Sequence, residues 1–196
     1  MPRIDKRIFA SRGAPQIMQL RSVKFLAVLC LLGAGAPQAR AADPALEKQV
    51  KSAFVVNFIQ FIDWPATAFD KPDDPIIIGV VDGGNLGDAL PAAIEGKTVR
   101  GRKLVLRPFT PTTVGKCHVL IVGNLGGDLL SGVLQTAAAN GTLTIGESEH
   151  LTDAGGIIQF YLEDRKVRFE INQAGAERAH LQISSKLLKL ARVVNK

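Results

Sequence analysis

Two stretches decide the fold: Ile76-Ile-Ile-Gly-Val-Val-Asp-Gly-Gly-Asn-Leu-Gly-Asp88 and Cys117-His-Val-Leu-Ile-Val-Gly-Asn-Leu-Gly-Gly-Asp128. Each opens with a near-continuous apolar run, the pattern of a strand buried on both faces. Each then makes a Gly-Asn-Leu-Gly turn, reaches an aspartate and continues as a helix, expected over Asp88–Ile94 and Asp128–Ala139. Strand–turn–helix units in series imply parallel pairing with right-handed crossovers. Further strands are expected at Lys103–Arg107 and Thr142–Ile145. A hairpin is expected from Ile157–Leu162 and Lys166–Ile171 across Glu163-Asp164-Arg165. The fold expected is α/β: one domain, a mixed and mostly parallel sheet, helices on both faces and a late antiparallel hairpin.

Upstream, residues 45–62 carry the helical 3.6-residue period. Leu46, Val50, Ala53, Phe54, Phe58 and Phe61 form one stripe, and Val55, Ile59 and Ile62 a second beside it. A helix this apolar is covered on more than one side, by core or by a partner. Asn57 falls within the apolar surface and is expected to be a satisfied buried amide. Asp63-Trp64-Pro65 ends the helix, because proline disfavours helical backbone at the residue before it. Downstream, Val167–Asn172 alternates as a strand, and after a spacer Leu181–Ala191 reads as an amphipathic helix opened by Ser184 and Ser185 as caps. Leu187, Leu188, Leu190, Ala191 and Val194 lie toward one side, and Lys186, Lys189, Arg192 and Lys196 toward the other.

The first 41 residues look like a leader. Arg21 and Lys24 precede an apolar run from Phe25 to Ala36, and Ala39-Arg40-Ala41 places small residues where a signal peptidase reads. Cleavage is expected after Ala41, with Met18 as an alternative start and Cys30 discarded. The leader accounts for the basic composition. Of 24 Lys/Arg and 18 Asp/Glu, seven bases and one acid lie in residues 1–41, which leaves 17 of each. The formal charge of +6 therefore does not describe the remaining 155 residues, and a nucleic-acid role loses its electrostatic basis. From Arg165 onward eight bases meet two acids, a local +6. Cys117 alone remains after the leader, so no internal disulfide is expected; the thiol reads as a small buried hydrophobe.

The two glycine turns are candidate ligand sites, because α/β proteins bind ligands beyond the carboxyl ends of their strands. Gly83, Gly84, Asn85, Gly87, Gly123 and Asn124 are the residues concerned. Neither turn spells a dinucleotide fingerprint or a phosphate loop with its lysine. Glycine also simply turns a chain, and Asp88 and Asp128 are expected to cap their helices. Glu147-Ser-Glu-His150 is the one local cluster of metal-type ligands and reads as a solvated loop. No nucleophile motif stands out, so no catalytic residue, metal or cofactor is expected.

Taken in order, several blocks resemble YfiR-like proteins. They are Lys51-Ser-Ala-Phe54 with Asn57-Phe58, Phe61 and Trp64-Pro65; Cys117-His-Val-Leu120 with Gly123; Leu143-Thr-Ile-Gly146; Asp153-Ala-Gly-Gly156 with Ile158 and Phe160; Val167–Asn172; and Ile183-Ser-Ser-Lys-Leu-Leu188 with Leu190-Ala191. The resemblance runs from about residue 47 to 194. It implies a soluble periplasmic α/β protein that often dimerises, whose namesake represses a membrane-bound diguanylate cyclase by binding its periplasmic sensor domain. The partner implied here is an inner-membrane diguanylate cyclase or another sensor protein, and a homodimer is expected. The namesake carries cysteine pairs, whereas this chain keeps only Cys117 beyond the leader, which argues against an intramolecular redox switch. Phe54, Phe58, Phe61, Trp64, Leu187, Leu188, Lys189 and Arg192 are the residues expected at the partner or dimer surface. The alternative is a periplasmic small-ligand binding module that feeds a histidine kinase or other sensor.

Overall fold

A computed structural model describes residues 43–196, so the expected leader lies outside the described residues. Helix α1 runs Pro44–Gln60. Asp43 caps it through a 2.9 Å bond from the Ala45 amide, and proline occupies the first turn, where its missing N–H costs nothing. It stops two residues short of expectation because Ile62–Asp63 (β1) leaves to pair antiparallel with Gln182–Ile183 (β9).

The main sheet has eight strands: β2 (Ile76–Val81), β3 (Thr98–Val99), β4 (Arg102–Phe109), β5 (Val119–Val122), β6 (Leu143–Gly146), β7 (Ile158–Glu163), β8 (Lys166–Asn172) and β10 (Arg192–Val194). Their order is β10-β8-β7-β6-β5-β2-β4-β3. Strands β4, β2, β5, β6 and β7 are parallel; β8 returns antiparallel to β7. Helix α2 (Gly84–Ile94) carries the chain from β2 to β4 on one side. The chain then crosses to the other side of β2, and α3 (Gly127–Ala139) links β5 to β6.

The alternation of buried side chains separates two cores. Ile76, Ile78, Val119, Ile121, Leu143 and Ile145 face α1 and α2, while Val81, Leu120 and Val122 face α3 through Leu130, Val133, Leu134 and Ala137. At the hairpin end, α1 lays Phe54 and Phe58 on Phe160 and Phe169, and the Phe58 and Phe169 ring centroids are 4.7 Å apart. The hairpin turns on Asp164 and Arg165, both at positive φ (50° and 61°), the left-handed pair that suits the twist of a two-residue loop.

Several expectations need correction. Helix α2 begins at Gly84, so its glycines form the first helical turn; Asp88 lies inside the helix, and Gly83 at the N-cap makes no side-chain bond. Helix α3 is capped by Gly126, with Asp128 in its first turn, where a carboxylate favours the helix dipole without capping. Strand β5 starts at Val119, leaving Cys117 and His118 just before it. The spacer contains a helix, α4 (Gln173–Arg178), capped by Asn172 Oδ1 on the Gly175 amide at 3.1 Å.

The largest correction concerns Leu181–Ala191. Only α5 (Ser185–Leu188) is helical, with Ser184 as its cap, accepting from the Lys186 amide at 3.3 Å; Ser185 is its first residue. Arg192-Val193-Val194 then leaves as β10, parallel to β8, with Arg192 opposite Glu170. A β-branched pair reaching an open sheet edge gains ladder bonds that outweigh one more helical turn. Asn57 is exposed, not buried.

Candidate functional surface and cavity

Helix α1 buries Val55, Val56, Phe58 and Ile59 against the sheet. Its outward positions are Leu46, Gln49, Ala53, Asn57 and Gln60, spaced by three and four residues along one face. No charge stands on this exposed stripe. Leu46 is 58 % exposed. An exposed helix face ordinarily carries charges; one that carries none, with an exposed leucine and a small central alanine, suits close packing against another protein.

The expected surface residues divide. Phe58 and Leu187 are core residues, with 0 % and 2 % exposure, so they shape the surface from beneath and do not form it. Phe54, Phe61, Trp64 and Leu188 are half-buried and pack on the core. Phe61 meets the start of α5, because its carbonyl accepts the Ser184 amide at 2.9 Å. Trp64 stands edge-on to Phe69 and to His118, and its Nε1 is buried with no hydrogen-bond partner among the described residues. Lys189 and Arg192 are exposed. Arg192 stacks over Tyr161 at 4.4 Å and pairs with Glu163 at 3.3 Å. Tyr161 alternates with Phe160, which faces α1, so Arg192 lies on the opposite face of the sheet. The eight residues are therefore not one surface. In the sequence the outward stripe of α1 carries no distinguishing mark, because its neutral polar residues read as an ordinary solvated face.

The two glycine turns do converge. Asp82, Gly83, Gly84 and Asn85 from the first, Gly123 and Asn124 from the second, and the segment 147–150 after β6 line one cavity of about 620 Å³. It sits between β2 and β5, where the following helices depart to opposite faces of the sheet, the crevice position of doubly wound folds. Gly87 does not reach it; it lies within α2, its amide bonded to the Gly83 carbonyl at 2.8 Å. The close approach of the turns demands glycine, since a Cβ on Gly123 would lie 1.4 Å from the Asp82 carbonyl oxygen. Asp82, Glu147 and Glu149 make the rim acidic; among the described residues no lysine or arginine lines the cavity itself, although Glu147 is paired from outside it by Lys51. That rim disfavours the phosphate-type ligands such turns often hold.

Lys51 of α1 donates to Glu147 at this rim and to Glu47 one helical turn away. Burial acts to lower its pKa, but the two carboxylates outweigh burial and hold it above the ordinary lysine value. Cys117 is buried, and burial pushes its thiol up to about 11, which keeps it protonated and unreactive at neutral pH. Among the described residues no group of three or more His, Cys, Asp or Glu is placed to hold a metal ion. Among them, too, no helix is long and apolar enough to cross a membrane.

The YfiR/HmsC-like family model matches residues 48–192. The chain belongs to the YfiR/HmsC-like family. None of the curated proteins compared with it matches. Among solved structures, a conserved domain protein from Vibrio cholerae O1 biovar El Tor is similar at 14 % identity, with a TM-score of 0.49. The match covers 72 % of this chain and 59 % of that one, so the chain spans about three fifths of that structure's length. The family assignment rests on the family model.

Proposed function

We propose that this YfiR/HmsC-like chain represses an inner-membrane diguanylate cyclase by binding its periplasmic sensor domain through the outward stripe of α1. The observation that supports this reading is the absence of charge along Leu46, Gln49, Ala53, Asn57 and Gln60 on the exposed face of a 17-residue helix. A bound sensor is held in one state only to the extent that the regulator prefers that state, so repression is differential binding. Burying an unpaired carboxylate at such a contact costs on the order of 2 kcal/mol or more, which is about thirtyfold in affinity. Ala53→Glu is thus expected to weaken sensor binding at least that far while the helix stays folded. The test is photo-crosslinking from position 53 in the periplasm, followed by titration of the captured protein's purified sensor domain with wild type and Ala53→Glu. Equal affinities would refute the assignment. A homodimer through the same stripe would compete with the sensor for that face, and sedimentation of the two proteins without sensor measures it.

The cavity supports a second reading, a small-ligand module that feeds a sensor, because three strand ends contribute to one crevice. Saturable thermal stabilisation by a small molecule, lost in Asn124→Leu, would support it. No stabilisation across cationic and neutral metabolites would count against it.

A further inference from the structure

The segment from Trp64 to Asp74 crosses the amino ends of the strands and is held to the sheet by side chains. Phe69 is sandwiched. The His118 ring stacks on one face, with centroids 4.3 Å apart and planes at 13°, and the Arg102 guanidinium lies 3.7 Å from the ring centroid. Arg102 also donates to the carbonyls of Lys71 (3.1 Å) and Asp74 (2.6 Å). His118 makes the central attachment with both ring nitrogens. The Ile77 amide donates to Nδ1 at 3.0 Å, and Nε2 donates to the Ala68 carbonyl at 3.0 Å.

These partners fix the protonation state. Ile77 offers only an N–H, so Nδ1 must accept; Ala68 offers only a carbonyl, so Nε2 must carry the proton. The ring is neutral and in one tautomer. The His118 backbone amide also bonds the Ile77 carbonyl, at 2.9 Å. Its side chain thus takes the next rung of the β2–β5 ladder, at the point where the chain before β5 turns away. A proton on Nδ1 would set two N–H groups against each other, removing that rung.

We propose that His118 is a proton-operated latch: neutral, it fastens the Trp64–Asp74 segment to the sheet, and protonated, it lets that segment go. The surroundings favour release. Burial, with Lys116 and Arg102 nearby, disfavours imidazolium in place and holds the His118 pKa below its usual value; the Ala68 bond and Asp74 oppose this without reversing it. Beside the ring lies a cavity of about 300 Å³ lined by Asp70 and Asp74 as well as Arg107 and Lys116, room and carboxylates for a charged ring that has turned out. A second cavity of about 170 Å³, also lined by Ala68 and His118, carries Lys116, Cys117 and His180. Asp74 Oδ2 accepts the amides of Asp70 (2.9 Å) and Lys71 (2.7 Å), which folds the segment back on itself beside the ring. The latch therefore stays closed above the ordinary imidazole range and opens as pH falls below it. It is a property of this chain alone and does not depend on the partner reading.

Trp64 is the sole tryptophan of the chain, so its emission reports the segment directly. Fluorescence of the purified protein is expected to shift to the red with a midpoint below pH 6.5, while far-UV circular dichroism stays unchanged. His118→Gln can keep an acceptor and a donor but does not titrate, so the shift should vanish in it. A shift that persists in His118→Gln, or one that coincides with loss of secondary structure in the wild type, would overturn the latch. Should His118→Gln not fold, the ring ¹⁵N shifts of wild-type His118 decide. Protonation together with the Trp64 shift in a folded chain supports the latch; a ring that stays neutral until global unfolding refutes it.

Discussion

Lys51 of α1 and Glu147 at the cavity rim are ion-paired, and Glu47 shares the same ammonium. The lysine side chain is only 8 % exposed, against 24 % for Glu47 and 32 % for Glu147. The pair ties the helix proposed to meet the sensor to the crevice between the glycine turns. Losing one carboxylate leaves the ammonium with the other; losing both strands a buried charge. We expect Glu47→Gln and Glu147→Gln to cost about 1 kcal/mol each, and the double variant about 3–5 kcal/mol, more than their sum. Urea denaturation of the four proteins measures this.

The same site sets an alkaline limit. The folded pKa of Lys51 is raised above 10.5, so its contribution is fully present below 10.5 and is lost as pH rises through the folded value. Wild-type stability should fall more steeply above pH 10.5 than that of Lys51→Met, measured by denaturant midpoints across that window. Parallel curves would show that the pair carries no such linkage.

Gly123→Ala and Gly84→Ala should differ sharply. The first sets a Cβ into the Asp82 carbonyl, backbone against backbone, so β2 and β5 must separate; we expect a loss above about 4 kcal/mol or no folding. The second meets nothing within 4 Å and bears only the strain of φ +50°, about 1 kcal/mol. Equal destabilisation of the two would contradict the close crossing of the turns.

Phe58 and Ala53 lie on opposite sides of α1. Phe58→Ala removes a fully buried ring from the cluster with Phe54, Phe160 and Phe169 and should cost about 3–5 kcal/mol. Ala53→Glu changes an exposed position and should move stability by no more than about 0.5 kcal/mol. Thermal or urea unfolding of both variants separates core from surface along one helix.

What could be read from the chain follows from where each signal lives. The runs Ile76–Val81 and Val119–Val122 are apolar because both faces are covered, and the turns after them are glycine because the backbones touch; both facts are local in sequence. The hairpin register follows from alternation between Phe160 and Phe169, which lie opposite each other. The tail was not legible in this way. Leu187-Leu188 with Leu190-Ala191 keeps helical spacing, yet Arg192–Val194 belongs to the edge of β8, a partner twenty residues upstream. In α1 the sequence shows two apolar stripes and invites one of them to face outward; Val55, Phe58 and Ile59 are buried and Phe54 and Phe61 half-buried, while Leu46 and Ala53 fall on the uncharged outward face with Gln49, Asn57 and Gln60. His118 belongs to no motif that marks a function in the sequence, and only the fold places the Ile77 amide and the Ala68 carbonyl on its two nitrogens.

The outward stripe of α1 is proposed to carry repression of a cyclase. The most direct measurement is the cellular cyclic di-GMP level in a strain lacking this protein, complemented with wild type, Ala53→Glu or Leu129→Glu at equal periplasmic abundance. Leu129 is 52 % exposed on α3, across the sheet from α1, and serves as the matched control. The account predicts that wild type and Leu129→Glu lower the level alike, while Ala53→Glu leaves it where the deletion does. Full lowering by Ala53→Glu would contradict it.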